Sequence, residues 1–191
     1  MGRNKEFDRE QVLHQAMLVF WEKGFEGASI PDLLQAMGLS RSSLYETFGD
    51  KESLYLEAIE LYKKRSLSKR RLLENPTSAK EGIRQYFDRH ISAALDEASP
   101  HGCLITIATV GMDSPDEQTR AAIRDSFDGL EKCFIDVLRR GQQTGEIAAD
   151  QDVKTMATLL LSLNHGINVV TKMKPDRQQY DDMIEAVLGL L

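Results

Sequence analysis

Cysteine is nearly absent. The 191 residues hold two, Cys103 and Cys133. They form no CxxC pair, and the four histidines do not stand at zinc-ligand spacing from them. A disulfide scaffold and a structural metal site are therefore not expected. Long apolar runs are missing too: none approaches the roughly 20 residues of a membrane span. The opening Met1-Gly2-Arg3-Asn4-Lys5-Glu6-Phe7 lacks the apolar centre of a secretory signal. These absences predict a soluble chain in the reducing cytoplasm with no membrane partner. An excess of basic charge is also lacking, since the formal net charge is −6. That does not exclude nucleic acid, because phosphate contacts depend on local charge and on oriented backbone N–H groups. There is no GxSxG, P-loop, GxGxxG or HExxH, and no cofactor is expected.

What is present is helical punctuation. Hydrophobic residues make up 41% and charged residues 28%, an ordinary globular balance. Asp8 opens a segment with Val12, Leu13, Ala16, Met17 and Phe20 on one face, and Gly24 is expected to stop it. Asp8 with Gln11 resembles a capping box. Ser29, ahead of Ile30-Pro31-Asp32, opens a second helix that ends at Met37-Gly38. Ser40 caps a short third helix, and Gly49-Asp50 begins a longer fourth. Asn75-Pro76 breaks the chain. Ser78 with Glu81 reads as a capping box for a fifth helix carrying Ile83, Phe87 and Ile91. A short helix starts at Cys103. Ser114-Pro115-Asp116-Glu117 reads as the strongest cap of all, with serine at the cap position. Asp152 opens a nearly all-apolar helix, and a last helix holds Tyr180, Ile184, Val187 and Leu191. The class is all-α, with about nine helices and no convincing strand.

Residues 29–51 carry the most specific signal. Two short helices joined through Met37-Gly38-Leu39-Ser40 make a helix-turn-helix, with Leu33, Met37, Leu39, Leu44 and Phe48 as its small core. The outward positions of the third helix hold Arg41, Ser42, Ser43, Tyr45 and Thr47. These polar donors suit a helix lying in a DNA groove, where arginine can pair bidentately with guanine.

The stretch Gly38-Leu39-Ser40-Arg41-Ser42-Ser43-Leu44-Tyr45-Glu46-Thr47-Phe48-Gly49-Asp50-Lys51-Glu52-Ser53-Leu54 resembles the TetR family. Ala16, Phe20, Gly24 and Phe25 fit it as well. The resemblance implies an N-terminal DNA-binding unit, residues 1–50, and a helical effector-binding and dimerisation unit, residues 51–191, connected by the fourth helix. It implies that Arg41, Ser42, Ser43 and Thr47 face bases or adjoining phosphates. Tyr45, Lys51 and Ser29 would hold the backbone, with Arg3 and Lys5 as a short basic arm. Glu46 departs from the aromatic or basic residue common at its position. The implied activity is transcriptional repression at a palindromic double-stranded operator, bound by a homodimer and released by a small molecule or a thiol-reactive signal. Such dimers read half-sites about 34–36 Å apart or a multiple of that.

In the second unit, Leu159, Leu163, Ile167 and Val170, with Ile184, Val187 and Leu191, are the expected dimer seam, and Gly166 would permit close approach. The implied effector pocket lies among helices four to eight, with His90, Met112, Phe127 and Asn164 as candidates beside Phe87 and Phe134. Cys103, after Pro100-His101-Gly102, reads either as a small buried hydrophobe or as a reactive thiol at a helix start. His101-Gly102-Cys103-Leu104 looks like a TetR branch with electrophile- and oxidant-responsive members. Cys133 is expected to be packing. Lys63, Lys64, Arg65, Lys69, Arg70 and Arg71 are read as a solvated helix end. Two rival readings stand beside this one. One is a thiol enzyme pairing Cys103 with His101, His90 or His165; the other is a helical interaction module that binds no DNA.

Overall fold

The computed structural model of the chain describes residues 7–96, 100, 102–111 and 116–191. Among them are nine α-helices and one 3₁₀ turn, with no strand: α1 (Arg9–Gly27), α2 (Ile30–Met37), α3 (Arg41–Phe48), α4 (Lys51–Arg70), the turn Arg71–Leu73, α5 (Ala79–Ala94), α6 (Leu104–Val110), α7 (Glu117–Gln143), α8 (Val153–Val170) and α9 (Arg177–Leu188). Local chemistry sets most of the starts. Asp8, Ser40, Asp50 and Asp152 each accept from amides of the following turn. Ser29 and Asp32 close a reciprocal capping box.

Three expectations are corrected. Gly24 does not end the first helix. It kinks it, at φ 70° and ψ 177°, and helical structure resumes to Gly27. That conformation is open essentially to glycine alone. The long helix is capped by Asp116, whose carboxylate accepts from the Gln118 and Thr119 amides. The sequence places an aspartate two residues after Ser114, and a carboxylate is the stronger acceptor. Ser114 and Pro115 themselves lie outside the described residues. At α5 the reciprocal acid is not Glu81, which turns to Arg84 and Gln85. Glu146 takes that place from 67 residues away, accepting from the Ala79 amide at 2.7 Å and the Lys80 amide at 3.0 Å.

Two hydrophobic clusters fill the molecule. The first joins α1–α4 to α6 and the start of α7, through Phe20, Phe25, Leu44, Tyr55, Leu104 and Ile123. The second joins α5, the rest of α7, α8 and α9. Helix α6 packs on α1, α4 and α7, and through α1 and α4 it shares one core with the helix-turn-helix. Helix α8 is less enclosed than its composition suggests. Leu159 and Val170 are 36% and 44% exposed.

Candidate nucleic-acid interface and interior chamber

Helix α3 is held from below. Leu44 and Phe48 are buried, as are Leu33 and Met37, with Leu39 packed against them. Gly38, left-handed at φ 65°, makes the reversal between the two helices. The Arg9 guanidinium stacks over the Phe48 ring at 4.7 Å and donates twice to Glu57. This ties the start of α1 and the end of α3 to α4.

The opposite face of α3 is open. Arg41, Ser42, Tyr45 and Glu46 are exposed, and Ser43 and Thr47 are half-buried. The Ser40 hydroxyl, besides capping the helix, lies 3.0 Å from Ser42 Oγ and 2.9 Å from Ser43 Oγ. The three hydroxyls form one cluster at the N-terminus of α3, where the backbone favours phosphate. Ser29 donates to Asp32 at 2.6 Å. Asp32 is held near pH 2, first by Lys23 and then by Ser29, so the α2 start keeps its acid ionised but neutralised by Lys23 at 2.8 Å. The Lys51 ammonium sits 4.4 Å above the Phe25 ring. The structure therefore gathers Arg41, Ser42, Ser43, Tyr45 and Thr47 on one helix, with Ser29 and Lys51 at the starts of its neighbours. Arg3 and Lys5 lie outside the described residues.

A second site is interior. Lys69 and Arg70 do not belong to a solvated helix end: they turn inward from α4. The Lys69 ammonium donates to His90 Nδ1 at 2.8 Å and lies 5.1 Å from the centre of the Tyr86 ring. His90 Nε2 donates to the Asn164 carbonyl at 2.8 Å, which fixes the tautomer. Tyr86 donates to the Asn164 side chain at 2.9 Å. Arg70 donates to the Ser126 carbonyl and hydroxyl. His165 Nδ1 lies 2.9 Å from the Thr106 hydroxyl, and its ring stacks on Phe127 with centroids 4.1 Å apart. Its Nε2 is buried without a partner. These groups enclose a polar space of about 30 Å³ that Cys103 and Tyr62 also line. Burial lowers Lys69 to about 8 and His165 to about 4, and the neighbouring cations push both the same way. His90 falls well below the usual imidazole range, through burial and then Lys69.

Cys103 is buried. The Tyr62 hydroxyl meets its thiol and the Leu104 amide. Burial first, and Cys103 next, raise the tyrosine well above its ordinary value. Tyr62 in turn packs edge-on against Trp21 of α1, with ring centres 5.0 Å apart. On its other side, Cys103 borders a larger and mainly apolar cavity of about 420 Å³. Phe25 and Tyr55, Ile107 and Val110 of α6, and Asn168 of α8 line it as well. The thiol thus stands between the two spaces. Both His90 nitrogens are engaged by other groups, whereas His165 keeps Nε2 without a partner beside the space that Cys103 also lines. His101 and Met112 lie outside the described residues. Cys133 is half-buried on α7 and raised by burial. Among the described residues no cluster of histidine, cysteine and acid could hold a metal, and no helix is long and apolar enough to cross a membrane.

Of the expected effector residues, His90 and Asn164 meet in one network and Phe127 buttresses it through His165. Lys69, Arg70, Tyr62 and Thr106 were not anticipated in that role. A signal existed: Ala58, Tyr62, Ser66 and Lys69 recur at helical spacing, which puts Lys69 on the inward stripe of α4.

The outward face of α8 is a third feature. Leu159, Leu163, Gly166, Val170 and Met183 line a shallow cavity of about 470 Å³. A side chain at Gly166 would meet nothing within 4 Å. Ile167 lines this cavity from the edge of the core, while Ile184, Val187 and Leu191 are buried in the chain's own core, so the exposed seam is narrower than the sequence pattern suggested.

Two family models match. Residues 12–58 fit the bacterial regulatory proteins of the tetR family, and residues 79–187 fit the tetracyclin repressor-like C-terminal domain. An uncharacterized HTH-type transcriptional regulator, YezE of Bacillus subtilis, is 34% identical with both chains fully covered. The transcriptional repressor ComR of Escherichia coli is 29% identical over 88% of this chain and 81% of its own. A cysteine-substituted CifR, solved with a 26-base-pair operator duplex, is 31% identical and covers 98% of each chain, with a TM-score of 0.86.

Proposed function

This chain belongs to the TetR family of helix-turn-helix transcriptional regulators, and from that premise we propose that it is a cytoplasmic homodimeric repressor whose hold on a palindromic operator is broken by an effector bound beneath α6. The observation that carries the reading is the α3 face: an exposed row of polar donors on a helix locked from below by Leu44 and Phe48. Arg41 and Thr47 read base edges, Tyr45 and Lys51 hold phosphates, and Ser42 and Ser43 exchange their bonds to Ser40 for DNA oxygens. Ser29 offers the start of α2 to the backbone. Residues 1–50 form the DNA-binding unit and 51–191 the effector and dimer unit. The repressor name of ComR and the operator complex of CifR support the direction of control. The exposed apolar seam on α8, open at Gly166, supports the dimer.

Control passes through α6. It packs on α1, and the Cys103–Tyr62–Trp21 contact joins it to α4 and α1. An effector that displaces α6 changes the separation of the two α3 helices, and it acts only through its different affinity for the two spacings. A thiol-reactive compound that modifies Cys103 would do the same, because an adduct must enter one of the two spaces it borders.

The test is dissociation from a duplex selected out of a random pool. Arg41→Ala is expected to weaken binding about 10- to 100-fold, the worth of a lost bidentate base contact. Tyr45→Phe should weaken selected and unrelated duplexes alike, because it touches phosphate. Unchanged affinity in both variants, or no salt-dependent duplex binding by the native chain, would overturn the reading.

A further inference from the structure

The polar space beneath α4 is unusual in its charge. Lys69 and Arg70 both border it, and among the described residues no carboxylate forms an ion pair with either. The polar atoms around it are dominated by donors. Lys69 spends one N–H on His90, Arg70 spends one nitrogen on Ser126, and His165 Nε2 is buried with no partner at all. Every carbonyl and amide oxygen identified nearby already accepts: Asn164 takes Tyr86, His90 and Asn168. Cations and unspent donors turned toward an enclosed space raise the cost of burial unless an acceptor enters.

Size narrows the acceptor. About 30 Å³ is room for two water-sized groups, which is the size of a carboxylate. Cys103 lines both this space and a neighbouring one of about 420 Å³ whose walls are mainly apolar. One wall of that larger space is the kinked end of α1, Gly24 to Gly27.

We propose that the effector is an amphipathic monocarboxylate, its head seated on Lys69 and His165 and its apolar body lying past Cys103 between α6 and Phe25. This rests on the reading of the chain as an effector-controlled regulator and specifies the chemical class of the effector. The arrangement explains how occupancy reaches the DNA-binding unit: the head fills a space closed by α4, α5, α7 and α8, while the tail touches α1. Thr106, bonded to His165 and close to Asn168, sits where the two parts of such a molecule join, and α6 is the element they would push.

Calorimetric titration of the full chain with sodium hexanoate and with the neutral hexanamide tests this. Hexanoate is expected to bind, with hexanamide weaker by about tenfold or more, the worth of a charge-assisted hydrogen bond. Lys69→Met should bring hexanoate down to the level of hexanamide. Equal binding of acid and amide by the native chain would overturn the proposal, without depending on any variant. So would hexanoate binding that survives Lys69→Met, or failure of every straight-chain acid from acetate to octanoate to bind. Duplex binding by the native chain without any acid, measured alongside, separates these failures from a failure of the regulator reading.

Discussion

Lys69 carries an amine into the interior with an imidazole and an aromatic face beside it and no acid. Its pKa falls from 10.5 to about 8, chiefly through burial. The unfolded chain therefore holds a proton between about pH 8 and pH 10.5 that the folded chain has released. Stability rises with pH across that window, and below pH 8 the fold bears the cost of a buried cation, up to about 3 kcal/mol. Lys69→Met removes that cost. It is expected to be more stable than the native chain at pH 7, with the gap shrinking toward pH 10, in urea unfolding followed at several pH values. Parallel stability–pH curves would mean that Lys69 titrates normally. Composition places Lys69 in a solvated run of charges, because it does not distinguish Lys69 from the exposed Lys64, which lies about 140° of helical phase away.

At the scale of elements, helix starts are where the sequence speaks most directly. Asp8, Ser29, Ser40, Asp50 and Asp152 all cap as their types require, because a cap needs only the next three residues. The α5 start shows the limit. Ser78 caps the Glu81 amide as expected, but the carboxylate completing the site comes from Glu146, beyond the end of α7. Burial alone would raise Glu146; the bonds from Ser78, Lys80 and Ala79 outweigh it and hold the acid below its ordinary value. Its contribution is thus present above pH 4.5 and fades as acid protonates it. Glu146→Gln should cost about 1–2 kcal/mol at pH 7 by thermal or urea unfolding, from a lost helix-end charge and weakened amide bonds. The cost should shrink below pH 4. Gly24 is the other element-scale feature. Glycine suggests a stop, but a stop and a kink share the same residue, and only the packing of Phe25 into the core decides between them.

For the whole molecule, the proposed dimer rests on the α8 face. Leu163→Lys places a charge in the middle of the seam, at a half-buried residue on the edge of the second core cluster, and leaves the buried positions Ile167 and Leu160 unchanged. The variant is expected to sediment as a monomer and to lose at least about 100-fold in operator affinity, because one recognition helix then binds without its pair. Its helical content should stay native. A dimer that survives the substitution would move the interface elsewhere.

The sequence by itself determined the all-α class, the helix-turn-helix with its small core, the outward polar row of α3 and most helix starts. Each of these depends on contacts within about one or two helical turns, where residue type and period suffice. The tertiary structure alone decided which apolar residues of α8 stay outside, how the helix-turn-helix shares a core with α6, and where the interior cations meet. Lys69 reaches His90 across 21 positions and His90 reaches Asn164 across 74. Contacts of that span are set by how helices pack against one another. Packing follows from the fit of all the apolar faces at once, which no local pattern carries.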